Sequence, residues 1–221
     1  MKKSKLKTEH DFFKLFGSFI NEMRTGSKLK KDGKRIREGS IENFELVYKL
    51  LIKFRDRKNF DLKIIIVSGE VDAHYLETKN YWKKFYTEFT DFLYNDLDCY
   101  DNYVGQTIRT LRTFLNYLSN DLHLSIGNFH KSFYIPKEDI AIVALSPEEM
   151  NYLIYNDTLN LTLPPHLVRI KDMFVFGCTV CLRVSDLMAI KPENIFVEHT
   201  GTYLRLFSQK TNTFTSVKLP G

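Results

Sequence analysis

A chain of 221 residues with 43% hydrophobic and 14% aromatic content carries enough apolar surface for one large core or two ordinary ones, which excludes disorder over most of its length. Its net charge of +5 is moderately basic, so a nucleic-acid partner is permitted but not required, and the distribution of charge has to decide. No apolar run reaches about 18 residues, and the basic start Met1 to Lys7 leads into an amphipathic stretch rather than an apolar signal core, so the expectation is a cytoplasmic protein with no membrane partner. Cys99, Cys178 and Cys181 are odd in number, which speaks against a disulfide framework. Cys178 and Cys181 have C-x-x-C spacing without the second pair a zinc site needs, so they read as small buried thiols, with no metal and no cofactor implied.

In chain order, Phe12, Phe13, Leu15, Phe16, Phe19 and Ile20 recur at helical spacing and predict a core-facing helix from about Glu9 to Met23. It ends at Thr25-Gly26-Ser27. Lys28, Lys30, Lys31, Lys34, Arg35 and Arg37 follow, a dense basic loop broken by Asp32 and Gly33 that reads either as solvated surface or as a phosphate-facing loop. Ser40 is the expected N-cap of a second helix, with Ile41, Phe44, Tyr48, Leu51 and Phe54 on one face to about Arg57. A basic loop before a helix N-terminus adds side-chain charge to the free amides of the first turn, a place phosphate oxygens favour.

Ile64-Ile65-Ile66-Val67 is strand-like by β-branching, but with no obvious partner it reads as an extended connector within Asp61 to Ser68. From Gly69 to about Leu97 the pattern is helical again. Trp82, Phe85, Phe89 and Phe92 recur there at steps of three and four, core rings before stacking platforms. A helix from Val104 to about Ser119 turns Val104, Ile108, Leu111, Leu115 and Leu118 inward. Gln106, Arg109 and Arg112 share another of its faces and can reach a phosphate or a base edge together, or form a solvated face.

Asn120 to Ile142 loses periodicity and reads as a linker, which places a domain boundary near residue 138: a helical domain over 1–137, with linker from about 120, and a second domain over 138–221. Ser146, Pro147 and Glu149 form a capping-box helix start. Pro164-Pro165 begins the next helix, which runs through Val168, Met173, Phe174 and Phe176 into Phe174 to Leu187. There Arg183 stands among Val180, Leu182, Val184 and Leu187, where a mostly buried backbone is expected and the guanidinium needs an anionic partner or ligand. A phosphate suits it, and so does Asp186. A short helix from Asp186 to Ile190 stops at Lys191-Pro192. Tyr203 to Phe207 and Phe214 to Leu219 alternate on either side of Lys210-Thr211-Asn212-Thr213, a β-hairpin with Lys210 at the end of its first strand.

Cys181-Leu182-Arg183-Val184-Ser185-Asp186-Leu187, followed by Ile190 and Asn194-Ile195, resembles the first arginine motif of the tyrosine recombinases, or phage-type integrases. Lys210 in Gln209-Lys210-Thr211, with Val217 and Leu219-Pro220, looks like that family's hairpin lysine. The N-terminal half, with its basic loop and the helix over Gln106 to Phe114, looks like the core-type DNA-binding domain, and the flavour is that of integrases from mobile elements of the Bacteroidetes type. The resemblance covers nearly the whole chain. It implies a mainly α fold: an N-terminal SAM-like helical bundle, then the first part of an α+β catalytic domain with a small antiparallel sheet.

The activity implied is site-specific DNA recombination and integration, in which a tyrosine cuts one strand of duplex DNA through a 3′-phosphotyrosyl bond and the strand is rejoined to a partner. By resemblance Arg183 clamps the scissile phosphate, Lys210 protonates the leaving 5′ oxygen, and Asp186 orients the motif. Lys28, Lys30, Lys31, Lys34, Arg35, Arg37, Gln106, Arg109 and Arg112 are the DNA-binding candidates. The full-length family member is expected to form a homo-oligomer on DNA.

The family's His-x-x-Arg motif and nucleophilic tyrosine belong after the hairpin, and the chain stops at Gly221. His166-Leu167-Val168-Arg169 fits by letters but precedes Arg183, a chance match. Cys181 stands where the family usually has glycine, tolerable unless the turn needs a positive φ. The expectation is therefore a truncated or fragmentary integrase, inactive alone, whose second domain leaves apolar surface uncovered. A non-catalytic DNA-binding protein or regulator derived from an integrase is the alternative, and an unrelated helical interaction protein the third.

Overall fold

The structure, a computed structural model, describes residues 9–67 and 73–219 and divides the chain into two units, 1–140 and 141–221. It is mainly helical with a small antiparallel sheet. Met1 to Lys7, the expected helix start at Gly69, and Pro220 lie outside the described residues. Among the described residues no helix is long and apolar enough to cross a membrane.

In the first unit, Glu9–Asp11 is not the first turn of a helix but a strand, β1, paired antiparallel with β2, Lys63–Ile65. The Ile64 run therefore has a partner after all. Asp11 then caps helix α1, Phe12–Thr25, accepting from the Lys14 amide at 3.0 Å, and Gly26 ends it at φ +84°. Helix α2, Glu38–Lys58, starts earlier than Ser40: extended Arg37 is its N-cap, and its carbonyl takes the Ser40 and Ile41 amides. Glu38 occupies the first turn, where a carboxylate meets the favourable end of the helix dipole. Helix α3, Ala73–Asp91, continues into a π-turn, Phe92–Asp96, and helix α4 covers Asp101–Asn120.

The core of this unit is aromatic. Phe16 and Phe114 stack with centroids 4.2 Å apart and planes 9° from parallel, which ties α1 to α4. Phe54 meets Phe60, Phe85, Phe89 and Phe92 within 5.8 Å, which ties α2 to α3. The rings at three- and four-residue steps are core, as their period implies.

The stretch read as linker differs most from expectation. Ile126, Phe129, His130 and Phe133 are buried, and a 3₁₀ turn, Phe129–Ser132, seats them. Tyr86 donates its hydroxyl to the Tyr134 carbonyl at 3.0 Å, and Asn102 exchanges two hydrogen bonds with the Glu138 backbone. Gly105 makes room for this return: a Cβ there would lie 2.0 Å from the Pro136 carbonyl oxygen. Periodicity failed as a guide because this segment follows the surface of α4 as extended chain with isolated anchors.

The second unit holds α5, Pro147–Tyr155; α6, Asp157–Thr162; α7, Pro165–Val180; and α8, Val184–Met188. Ser146 and Glu149 form the capping box of α5. A three-stranded antiparallel sheet follows in the order β3, Ile195–Glu198; β4, Gly201–Phe207; β5, Phe214–Lys218. The first of these strands was not anticipated. Among the described residues of this unit only Val180 and Leu204 are buried apolar side chains, while Val143, Leu161 and Val197 are more than four-fifths exposed.

His130 ties the stability of the first unit to pH. It is 3% exposed, its Nε2 lies 2.9 Å from Asn116 Oδ1, and burial, with help from the Lys131 and Arg112 charges, lowers its pKa to about 4. Between its unfolded value of 6.5 and 4 the unfolded chain binds a proton that the folded chain refuses, so stability falls as pH drops through this window and is complete above it. The expected loss is about 3 kcal/mol. Urea unfolding across that window should show the slope, and His130→Gln should flatten it.

Candidate functional site

The cations of the basic loop are not equivalent. Lys28 forms an ion pair with Asp121 and lies over the Tyr117 ring at 4.4 Å and the Phe19 ring at 5.6 Å. The Tyr117 hydroxyl in turn donates to the Glu22 carboxylate at 2.8 Å. Lys28 is thus bound into the fold.

The rest of the loop is a small ordered finger. Leu29 bridges Arg35, the Gly33 amide donates to the Lys30 carbonyl and the Lys30 amide to the Lys34 carbonyl, each at 2.9 Å. Gly33 takes φ +76°, the left-handed position that follows a tight turn in a three-residue hairpin loop. Lys30, Lys31, Lys34, Arg35 and Arg37 are exposed around it. Among the described residues the one ion pair these five cations make is Lys34 with Asp32 at 3.8 Å, a weak surface contact. The N-terminus of α2 is less available to phosphate than the sequence suggested, because Glu38 already occupies it and Arg24 pairs with Glu38 and Glu45.

On α4, Gln106 and Arg109 are exposed and Arg112 half-buried. Arg109 Nη1 donates to Gln106 Oε1 at 2.8 Å, which holds the guanidinium along the helix. Lys28 reaches Asp121 at the far end of the same helix, so the loop and the Gln106 face are separated by roughly 20 Å of helix axis. Arg112, midway along α4, lies about 13 Å of helix axis from Asp121.

In the second unit the geometry converges. Helix α7 ends at Cys181, which adopts φ +53°, so the turn does demand the left-handed conformation that glycine takes without strain. Arg183, extended, is the N-cap of α8. One turn on, Asp186 is 2% exposed. Its Oδ2 accepts from the Ser208 hydroxyl at 3.0 Å and its Oδ1 from the Gln209 amide at 2.8 Å. Arg183 Nη1 donates to the same Ser208 hydroxyl at 3.1 Å and lies 3.9 Å from Asp186 Oδ2.

Ser208 and Gln209 open the turn between β4 and β5. That turn closes through the Ser208 amide to the Thr213 carbonyl at 2.9 Å and the Asn212 amide to the Ser208 carbonyl at 2.7 Å. Lys210 is exposed at its top, in the turn rather than at a strand end. Asp186 therefore fixes the turn that carries Lys210 to the helix that starts at Arg183. Asn194 adds a second tie, donating to the Arg205 carbonyl at 3.1 Å and accepting from the Lys191 amide at 2.9 Å.

Three expectations are corrected here. The Arg183 side chain is 55% exposed and Val184 75% exposed, so the motif is not a buried one: α8 is too short to cover its own first turn. Cys178 and Cys181 are both exposed, because α7 turns them away from Val180. Ser208 was missed as a site residue. It continues the face of Leu204 and Leu206 just past the end of β4, and that placement, which needs the strand's bounds and its buried face, is what marks it. Among the described residues no group of three or more His, Cys, Asp or Glu side chains could hold a metal ion.

Removing Asp186 strands two donors and a guanidinium. Asp186→Ala is expected to cost about 2 to 4 kcal/mol, read as faster amide exchange at Ser208 and Gln209. Cys181→Gly should do the reverse, raising the stability of the second unit by about 0.5 to 1 kcal/mol in chemical denaturation. Compared with known proteins, the chain matches no family model, no curated protein and no solved structure.

Proposed function

We propose that this chain binds duplex DNA and handles its phosphate backbone in the manner of a tyrosine recombinase, the first unit as a SAM-like core-binding domain and the second as the first part of the catalytic domain. The observation that carries the reading is the Asp186 network, which ties an exposed arginine to the turn bearing an exposed lysine. In this reaction Arg183 places its guanidinium on a nonbridging oxygen of the scissile phosphate, where negative charge develops. Lys210 delivers a proton to the 5′ oxygen as it leaves. The exposed finger of Lys30, Lys31, Lys34, Arg35 and Arg37 and the Gln106, Arg109 and Arg112 face contact the duplex backbone at separate points. On DNA the protein works as a homo-oligomer.

The second reading is a DNA-binding protein without strand-cleaving activity, and one observation favours it. Tyr203 follows Arg183 in the sequence. Its hydroxyl meets Thr200 Oγ1 at 3.0 Å and Arg205 covers its ring at 5.2 Å, so it is engaged in the sheet rather than poised as a nucleophile. On a suicide duplex this chain alone is accordingly expected to form no covalent adduct.

Duplex binding by the whole chain, followed by fluorescence anisotropy across a salt series, tests the shared claim. Affinity should fall steeply with salt, and replacing Lys30, Lys31 and Lys34 by Ala should lower the log–log slope by about 2 to 3. Arg183→Ala and Lys210→Ala should leave most of the binding intact. Absent or salt-insensitive binding would return the chain to the class of helical interaction proteins.

A further inference from the structure

From His199 to Leu219 the sequence carries Arg205, Lys210 and Lys218 and no Asp or Glu; Arg205 pairs with Glu198 at 2.6 Å, which leaves Lys210 and Lys218 as the cations that face a ligand. The turn adds Gln209, Thr211, Asn212 and Thr213, all uncharged and exposed. Such a segment attracts a polyanion and offers it hydrogen bonds. At the base of the turn Phe207 and Phe214 stand directly opposite each other on β4 and β5, with ring centroids 5.3 Å apart and planes tilted by 58°.

Both rings are open to water, Phe207 at 62% and Phe214 at 55%. Strand alternation puts them on the face opposite Leu204, so the core of their own unit does not claim them. Phe207 also lines, with Gln209, a cleft of about 260 Å³ that reaches Asp186 and Asn194, so this ring borders the network that holds the Lys210 turn. Two large rings left in water are unfavourable unless a ligand covers them. What surrounds them selects that ligand: Lys210, Lys218 and the amides and hydroxyls of the turn, with the neighbouring carboxylate Glu198 engaged by Arg205 at 2.6 Å and Asp186 buried, suit a polyanion that also has flat apolar faces. Stacked bases have both properties, and apolar side chains that enter between base steps are a known means of unstacking and kinking a duplex.

We propose that Phe207 and Phe214 form an aromatic wedge that enters a base step of duplex DNA where the Lys210 turn meets the backbone. The inference rests on the duplex-DNA reading and adds to it a local distortion of the bound DNA. The tilt of the rings lets one enter the step while the other covers the adjoining sugar. Unstacking a step unwinds the duplex, which gives the wedge a readout separate from affinity.

The test uses a closed-circular plasmid relaxed by a type I topoisomerase in the presence of the full chain and then freed of protein. The parent chain should shift the linking-number distribution in proportion to the amount bound. The double variant Phe207→Val with Phe214→Thr keeps β-branched residues in both strands; it should cut the shift at least about fivefold while holding duplex affinity within about threefold. Phe214→Trp, which keeps and enlarges a ring, should preserve or increase the shift. Binding by the parent without any shift overturns the wedge and leaves the duplex reading standing. A double variant that shifts the plasmid as the parent does, or a Trp variant that loses the shift, also overturns the wedge alone. Absence of duplex binding by the parent overturns both.

Discussion

The second unit depends on a single buried carboxylate. Asp186 is removed from water with no apolar core of any size around it, and a carboxylate in that position needs donors on more than one side. It finds them in Ser208 and Gln209, 22 and 23 residues further along, while the Arg183 guanidinium, which donates to Ser208, adds its charge from 3.9 Å away. Because hydrogen bonds are directional, this arrangement fixes the orientation of the hairpin turn more tightly than a few apolar contacts would. The exposed Arg183 guanidinium and the exposed turn of Lys210 are held by the same polar knot, so a site that faces water on its working side is ordered from its buried side.

The first unit solves the opposite problem. Its helices are fixed by rings, with Phe16 on Phe114 and Phe54 at the centre of four others, and its charges are left at the periphery. Yet a cation at the periphery is not always free. Lys28 is drawn between the Phe19 and Tyr117 rings and Asp121, where cation–π attraction and an ion pair act together, while Lys30 and Lys31 two and three positions on remain in water. Burial and pairing, not charge count, separate the residue that holds the loop from the residues that can meet a ligand.

Much of this was legible in the sequence, and the failures have physical causes. Helix positions followed from the spacing of Phe12, Phe16 and Phe19 or of Val104, Ile108 and Leu111, since a helix repeats its face every three to four residues whatever it packs against. The capping box at Ser146 was readable because its partners are three residues apart. The strand Glu9–Asp11 was not, because three polar residues carry no strand signal and its pairing with Lys63–Ile65 is non-local. Lys28 could not be told from Lys30 because Asp121 is 93 residues away. At the candidate site the arginine, aspartate and lysine were all named, but Cys181 hides a left-handed turn that glycine would have announced, and Ser208 shows its role only once the sheet face is known.

Gly105 has a further consequence. The 135–136 backbone lies where its side chain would be, and beyond that point the Asn102 bonds to Glu138 are the last ties of the returning segment to α4. The folded unit therefore stops where this glycine allows it to stop. A methyl group at residue 105 would have to displace the Pro136 carbonyl, so this one packing position sets how closely the returning segment can lie against α4.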